Sequence, residues 1–242
     1  MILQPRNGLT PYNSTVILLD YQSRFALTLS SIVGKSLIDN AVNLAKVAIT
    51  FSIPTVLTTV GQTSFGGPLL SKLQEVFSEQ TPIDRMTINP WEDGRIISAV
   101  KKTGRQKLLV AGLWTDFGVV LFVLEALKAG YEVYTVVDAC GDVSARAHRI
   151  AVERMIQEGA VPVTWLQLLL TFHRESSSPG DYKMLLNIVN DHANLYGLDM
   201  QYTETSPVEK QTRLVNNKPR ESRWEKWSIA QTRSLRRVQK GP

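Results

Sequence analysis

The chain of 242 residues reads as an α/β protein with three layers, α/β/α, around a doubly wound, mostly parallel six-stranded sheet. Two observations predict this. Short apolar runs bounded by breakers alternate with longer segments of helical periodicity, the pattern of parallel strands covered on both faces. Right-handed crossovers then wind such units outward in both directions. A composition of 43% hydrophobic and 20% charged residues supplies one well-filled core.

In chain order, Thr15–Asp20 (TVILLD) is a strand that ends on an acid. Lys35–Phe51 places Leu37, Ile38, Ala41, Leu44, Ala45, Ala48 and Ile49 at helical spacing. Pro54–Val60 is the next strand, Gly66-Gly67-Pro68 a break, and a helix continues from there through Phe77. Ile83–Ile88 is a short extended piece around Arg85, and Trp91–Thr103 a helix stopped by Gly104. Lys107–Ala111 is a buried strand that runs directly into an apolar helix, Asp116–Ala129, stopped by Gly130. Strand Glu132–Asp138, helix Ser144–Glu158 with Ser144 as N-cap, and the short strand Ala160–Val163 complete the sheet. Helical segments Trp165–His173 and Tyr182–Tyr196 come after it.

Charge is unevenly placed. From Glu204 onward there are 10 basic and 4 acidic residues, whereas the rest holds 17 basic and 18 acidic residues. The body is neutral, so the net charge of +5 gives it no nucleic-acid role, and any such role is confined to the tail. The domain is expected over residues 1–202, and residues 203–242 as a basic, disordered extension. No apolar run is long enough for a membrane span and no secretory leader is visible. The single cysteine, Cys140, excludes a disulfide framework and fits a reducing cytoplasm. The three histidines lack metal-ligand spacing, so neither a metal nor a cofactor is expected. No G-x-G-x-x-G comes after the first strand and no P-loop motif is present.

In open sheets of this type the ligand crevice lies beyond the carboxyl ends of the strands. Asp20, Gln22, Thr58–Gln62, Arg85, Trp114–Gly118 and Asp138–Asp142 fall there. A helix that starts directly after a strand also offers unpaired N–H groups at the positive end of its dipole.

The segments LLDYQ (Leu18–Gln22), IDRMTINPW (Ile83–Trp91), AGLWTDFG (Ala111–Gly118), VVDACGD (Val136–Asp142) and HRIAVERMIQEGAVPVTW (His148–Trp165), in that order, resemble the isochorismatase-like hydrolase superfamily. The similarity spans roughly residues 9–202 and is nearest the cysteine-hydrolase branch. It implies a Rossmann-like fold, a small-molecule substrate and a homo-oligomer. The family's catalytic triad is an acid, a cation and a cysteine. Asp20 matches the acid, Arg85 the cation, and Gly118 stands where the nucleophilic cysteine would be. Gln22, Asn89, Trp91, Trp114 and Thr115 match the substrate-binding surroundings. The Trp114–Thr115 peptide matches a position the family often holds cis, which would turn an N–H toward the oxyanion.

In such a triad the thiol gains nucleophilicity from the cation and the helix start, and the acid carries its proton. Without the thiol three readings stay open. The isochorismatases proper also carry glycine here and cleave a vinyl ether by acid chemistry, although Asp116 stands where they have histidine. The chain could instead be a non-catalytic binding or scaffold protein. A nucleophile knockout, or a replacement nucleophile, is the third reading. Cys140 reads as a buried structural residue.

Overall fold

A computed structural model describes residues 8–31 and 34–176. The second expected helix after Trp165, Tyr182–Tyr196, and the basic tail lie outside the described residues. Six strands form one parallel sheet in the order β3-β2-β1-β4-β5-β6. They are β1 (Ser14–Leu19), β2 (Thr55–Val60), β3 (Ile83–Arg85), β4 (Lys107–Gly112), β5 (Glu132–Val136) and β6 (Val161–Val163). Every pairing is parallel. The chain winds from β1 through β2 to β3, returns to β4 beside β1, and continues outward to β6. The direction reverses between β1 and β4, so the crevice of an open sheet opens above those two strands.

β1 and β4 are buried at every position, as apolar runs without alternation require for a sheet covered on both sides. The long helix α2 (Gly34–Thr50) packs against α3 (Ser71–Val76) and α7 (Trp165–Ser176). On the opposite layer lie α4 (Gly94–Lys102), α5 (Val120–Lys128) and α6 (Ala145–Gln157), with α5 against α6. A short helix α1 (Ser23–Ala26), not anticipated from the sequence, comes after β1. α5 buries Val120, Phe122, Val123, Leu124 and Ala126, so its apolar character is largely spent within the fold.

Several boundaries move for local reasons. The helix expected from Trp91 begins as a 3-10 turn, Pro90–Glu92, and restarts at Gly94 because the Asp93 side chain caps the Arg95 N–H. Gly104 and Gly130 end their helices with φ of +67° and +90°, conformations that cost glycine least. Strand β5 stops at Val136, and Val137–Ala139 closes in a 3-10 turn. The segment entering α5 is a π-helical turn, Thr115–Val119, a wider coil that often marks a functional site. No helix among the described residues is long and apolar enough to cross a membrane.

Candidate active site

Asp20 lies directly after the last residue of β1, and its N–H donates to the Thr58 carbonyl at 3.1 Å. Its φ is +57°, a left-handed conformation that aspartate tolerates better than most side chains. Arg85 closes β3 on the far side of β2 and reaches across that strand. Its Nη1 and Nη2 donate to Asp20 Oδ1 and Oδ2, each at 2.6 Å. The guanidinium also donates to the Thr59 carbonyl at 3.1 Å and the Ile88 carbonyl at 3.4 Å. The Thr58 hydroxyl adds a bond to Asp20 Oδ1 at 3.2 Å. Both charged side chains are shielded, with Asp20 3% and Arg85 2% exposed. Burial pushes the Asp20 carboxyl above its ordinary range, against the pull of Arg85 and the Thr58 hydroxyl.

Gly118 faces this pair. A Cβ built on its backbone would lie 3.3 Å from Asp20 Oδ2, 3.5 Å from Arg85 Nη2 and 3.7 Å from the Ile88 carbonyl. A side chain at position 118 would therefore point into the acid and the cation. The structure brings Asp20, Arg85 and Gly118 together from the ends of β1, β3 and β4.

The turn that carries Gly118 is held by the loop after β5. Thr115 N–H donates to the Gly141 carbonyl at 3.1 Å, Asp116 N–H to Asp142 Oδ2 at 2.7 Å, and Phe117 N–H to the Trp114 carbonyl at 3.0 Å. The expectation of unpaired donors here is thus corrected at these three positions: neighbouring acceptors take them. The expected cis bond is corrected too. Every peptide among the described residues is trans, and Trp114 instead enters the turn with φ +56° and ψ +73°.

The other expected residues surround this centre with their polar groups mostly engaged. Gln22 is fully buried beside Asp20, but its amide is consumed: Nε2 donates to Val60 and Gly67 carbonyls at 3.1 and 2.6 Å, and Oε1 accepts Val60 N–H at 2.8 Å. Asn89 caps the Pro90–Glu92 turn by accepting Trp91 N–H at 3.0 Å. The Trp91 ring packs edge-on against Phe122 and Tyr131, at 5.1 and 5.9 Å. The Trp114 ring packs tilted against Phe25 at 4.5 Å and edge-on against Phe117 at 5.8 Å, and its indole N–H donates to the Thr28 hydroxyl. The Thr115 hydroxyl contacts the Gly141 carbonyl and His148.

Sequence reasoning gave no role to Thr58, to the Ile88 carbonyl or to His148. Each acts through a fold contact with no local signature, although Thr58 stands at the expected strand edge. Cys140 is 1% exposed and burial pushes its thiol up to about 12, so it offers no thiolate. Among the described residues no group of three or more His, Cys, Asp or Glu side chains gathers to hold a metal ion.

An Isochorismatase domain model matches residues 14–167. The chain is 30% identical over 195 residues to the probable hydrolase YcaC of Escherichia coli, covering 79% of this chain and 94% of that one. The structure of YcaC from Pseudomonas aeruginosa, described with hexane-2,5-diol and covalent acrylamide, aligns with a TM-score of 0.78 at 29% identity, covering 84% of this chain and all of the other. The E. coli YcaC structure, described as an octameric hydrolase of unknown specificity, aligns equally well, with a TM-score of 0.78 and 29% identity over 84% of this chain and 98% of that one. With the sheet order, the acid–cation pair and these matches in agreement, the chain belongs to the isochorismatase family of hydrolases.

Proposed function

We propose that this protein hydrolyses a small molecule at a C–N amide or vinyl-ether type bond by acid–base chemistry at Asp20, without a covalent intermediate. The observation that carries this reading is the aim of Gly118: its missing Cβ points at Asp20 Oδ2 and Arg85 Nη2, 3.3 and 3.5 Å away. The acid and the cation are assembled around a residue that has no nucleophile. Asp20, held above its ordinary pKa by burial, is suited to give a proton. It protonates the substrate, water adds to the electrophilic carbon, and the carboxylate recovers a proton from that water as the C–N or C–O bond breaks. Arg85 orients the carboxylate and stabilises negative charge that develops beside it. Trp114, partly exposed beside Phe117, offers an apolar wall for the substrate. Gln22 acts by fixing the loop around it.

A second reading, a binding or scaffold protein without catalysis, is favoured by one observation. Both Asp20 oxygens are occupied by Arg85, and the pair is almost wholly shielded. We also infer a homo-oligomer, as the E. coli relative is described, a separate basic extension over residues 203–242, and a cytoplasmic setting consistent with the lone cysteine.

A panel of small amides and vinyl ethers separates the readings. Slow turnover by the natural chain that disappears in Asp20→Asn supports hydrolysis. Faster amide or ester cleavage by Gly118→Cys supports the triad geometry. Inertness of the natural chain and of Gly118→Cys across the panel, with both folded, favours the binding protein.

A further inference from the structure

We infer that His148 is a positioning residue for the Gly118 turn, donating a hydrogen bond from Nδ1 to the Thr115 hydroxyl. The inference rests on the reading of Asp20, Arg85 and Gly118 as a working site.

The protons available fix the direction of each bond. Thr115 Oγ1 lies 3.1 Å from the Gly141 carbonyl and 2.9 Å from His148 Nδ1. A hydroxyl has one proton to give, and a carbonyl oxygen can only accept. Both contacts can be hydrogen bonds only if Thr115 donates to Gly141 and His148 Nδ1–H donates to Thr115. The order of donation is then His148 to Thr115 to Gly141. That order puts a proton on Nδ1, which in the neutral imidazole leaves Nε2 bare. Thr115 is wholly buried, so its hydroxyl has no solvent alternative.

The relay holds a place that needs holding. Trp114 sits in the left-handed region immediately before Thr115, a conformation that bulky side chains keep only when the surroundings over-determine it. The Gly141 carbonyl receives both the N–H and the hydroxyl of Thr115, each at 3.1 Å. Gly141 packs close to Leu37, whose Cδ1 a Cβ at this position would meet. His148 thus ties α6 to the first residue of the turn whose fourth residue, Gly118, meets Asp20 and Arg85. Nδ1 donates in the neutral and the charged imidazole alike, so the brace is indifferent to the charge on His148.

Two measurements on the full chain test this. In a long-range proton–nitrogen NMR spectrum, with His148→Asn assigning the signal among the three histidines, His148 is expected to be protonated at Nδ1. A dominant Nε2–H form overturns the relay. The second measurement uses acrylamide and iodoacetamide as probes of a Gly118→Cys thiol, against a background kept low by the burial of Cys140. Adding His148→Leu is expected to slow alkylation about tenfold, the worth of one buried hydrogen bond. His148→Asn, whose amide nitrogen can stand where Nδ1 stood, is expected to stay within about twofold of the parent. Circular dichroism verifies that each variant is folded. Equal rates in all three backgrounds, or an Asn variant as slow as the Leu variant, overturn the positioning role. A Gly118→Cys thiol unreactive in every background overturns the functional reading and the positioning role with it, while the tautomer still decides the relay.

Discussion

Arg85 grips Asp20 through two parallel hydrogen bonds of 2.6 Å, and the two side chains are buried together. Their responses to substitution are unequal. A buried carboxylate that loses its partner can take up a proton, whereas a guanidinium cannot lose one. Asp20→Asn, which keeps the left-handed backbone accessible, is expected to cost about 3–5 kcal/mol. Arg85→Met is expected to cost less, and least at acid pH. Urea unfolding of both variants at pH 5 and 7 checks the order; equal losses at both pH values would contradict it.

Gln22 offers no polar atom to a ligand while its three hydrogen bonds hold. Gln22→Leu strands the Val60 N–H and the Val60 and Gly67 carbonyls. The expected loss is about 2–4 kcal/mol of stability. Chemical denaturation measures it, and a loss below about 1 kcal/mol would show that the loop repacks without the amide.

Asp138 gives the fold a pH slope. Burial pushes its carboxyl from 3.8 up to about 6, against the pull of the N–H bonds it accepts, the Trp165 N–H first. The folded state therefore keeps a proton that the unfolded chain has released. The contribution of Asp138 to stability is thus largest below about pH 4, is lost as the pH rises to about 6, and changes no further above that. Asp138→Asn still offers an oxygen to Trp165, removes the slope, and is expected to add about 1–2 kcal/mol at pH 7 after allowance for solvent screening. Thermal melts from pH 4 to 7 show whether the slope disappears.

Cys140 is predicted to be silent toward thiol reagents in the native protein. It is buried and its thiol is held near 12. Ellman's reagent should titrate no thiol before denaturation and one after it. Rapid native reaction would mean that the end of β5 opens.

The sequence made the sheet legible because β1 and β4 each carry an unbroken apolar run, residues 16–19 and 108–111, and each run is followed at once by a break in its pattern, Asp20 and Gly112. Asp20, Arg85 and Gly118 were legible as a set because each lies at or beyond the carboxyl end of a strand and falls on a motif that carries the isochorismatase-like resemblance. The π-helical turn was not, since nothing in TDFGV distinguishes a wide coil from an ordinary one. Its cause lies 26 residues away, in the Gly141 carbonyl and the Asp142 carboxylate. Gln22 was misleading for the opposite reason. An amide beside an acid suggests a ligand contact, and only the folded loop shows the backbone groups that occupy it. The link from His148 to Thr115 spans 33 residues and joins two elements that no local pattern pairs.

The wide coil at Thr115–Val119 also sets the phase of α5. Each residue of a regular helix advances the chain by about 100°. Removing one residue from that coil would either swing Gly118 away from Asp20 or rotate the apolar side of α5 off the sheet. The aim of position 118 at Asp20 and the hydrophobic packing of α5 are locked to a common clock, so a single-residue deletion there should be far less forgiving than a change of side chain.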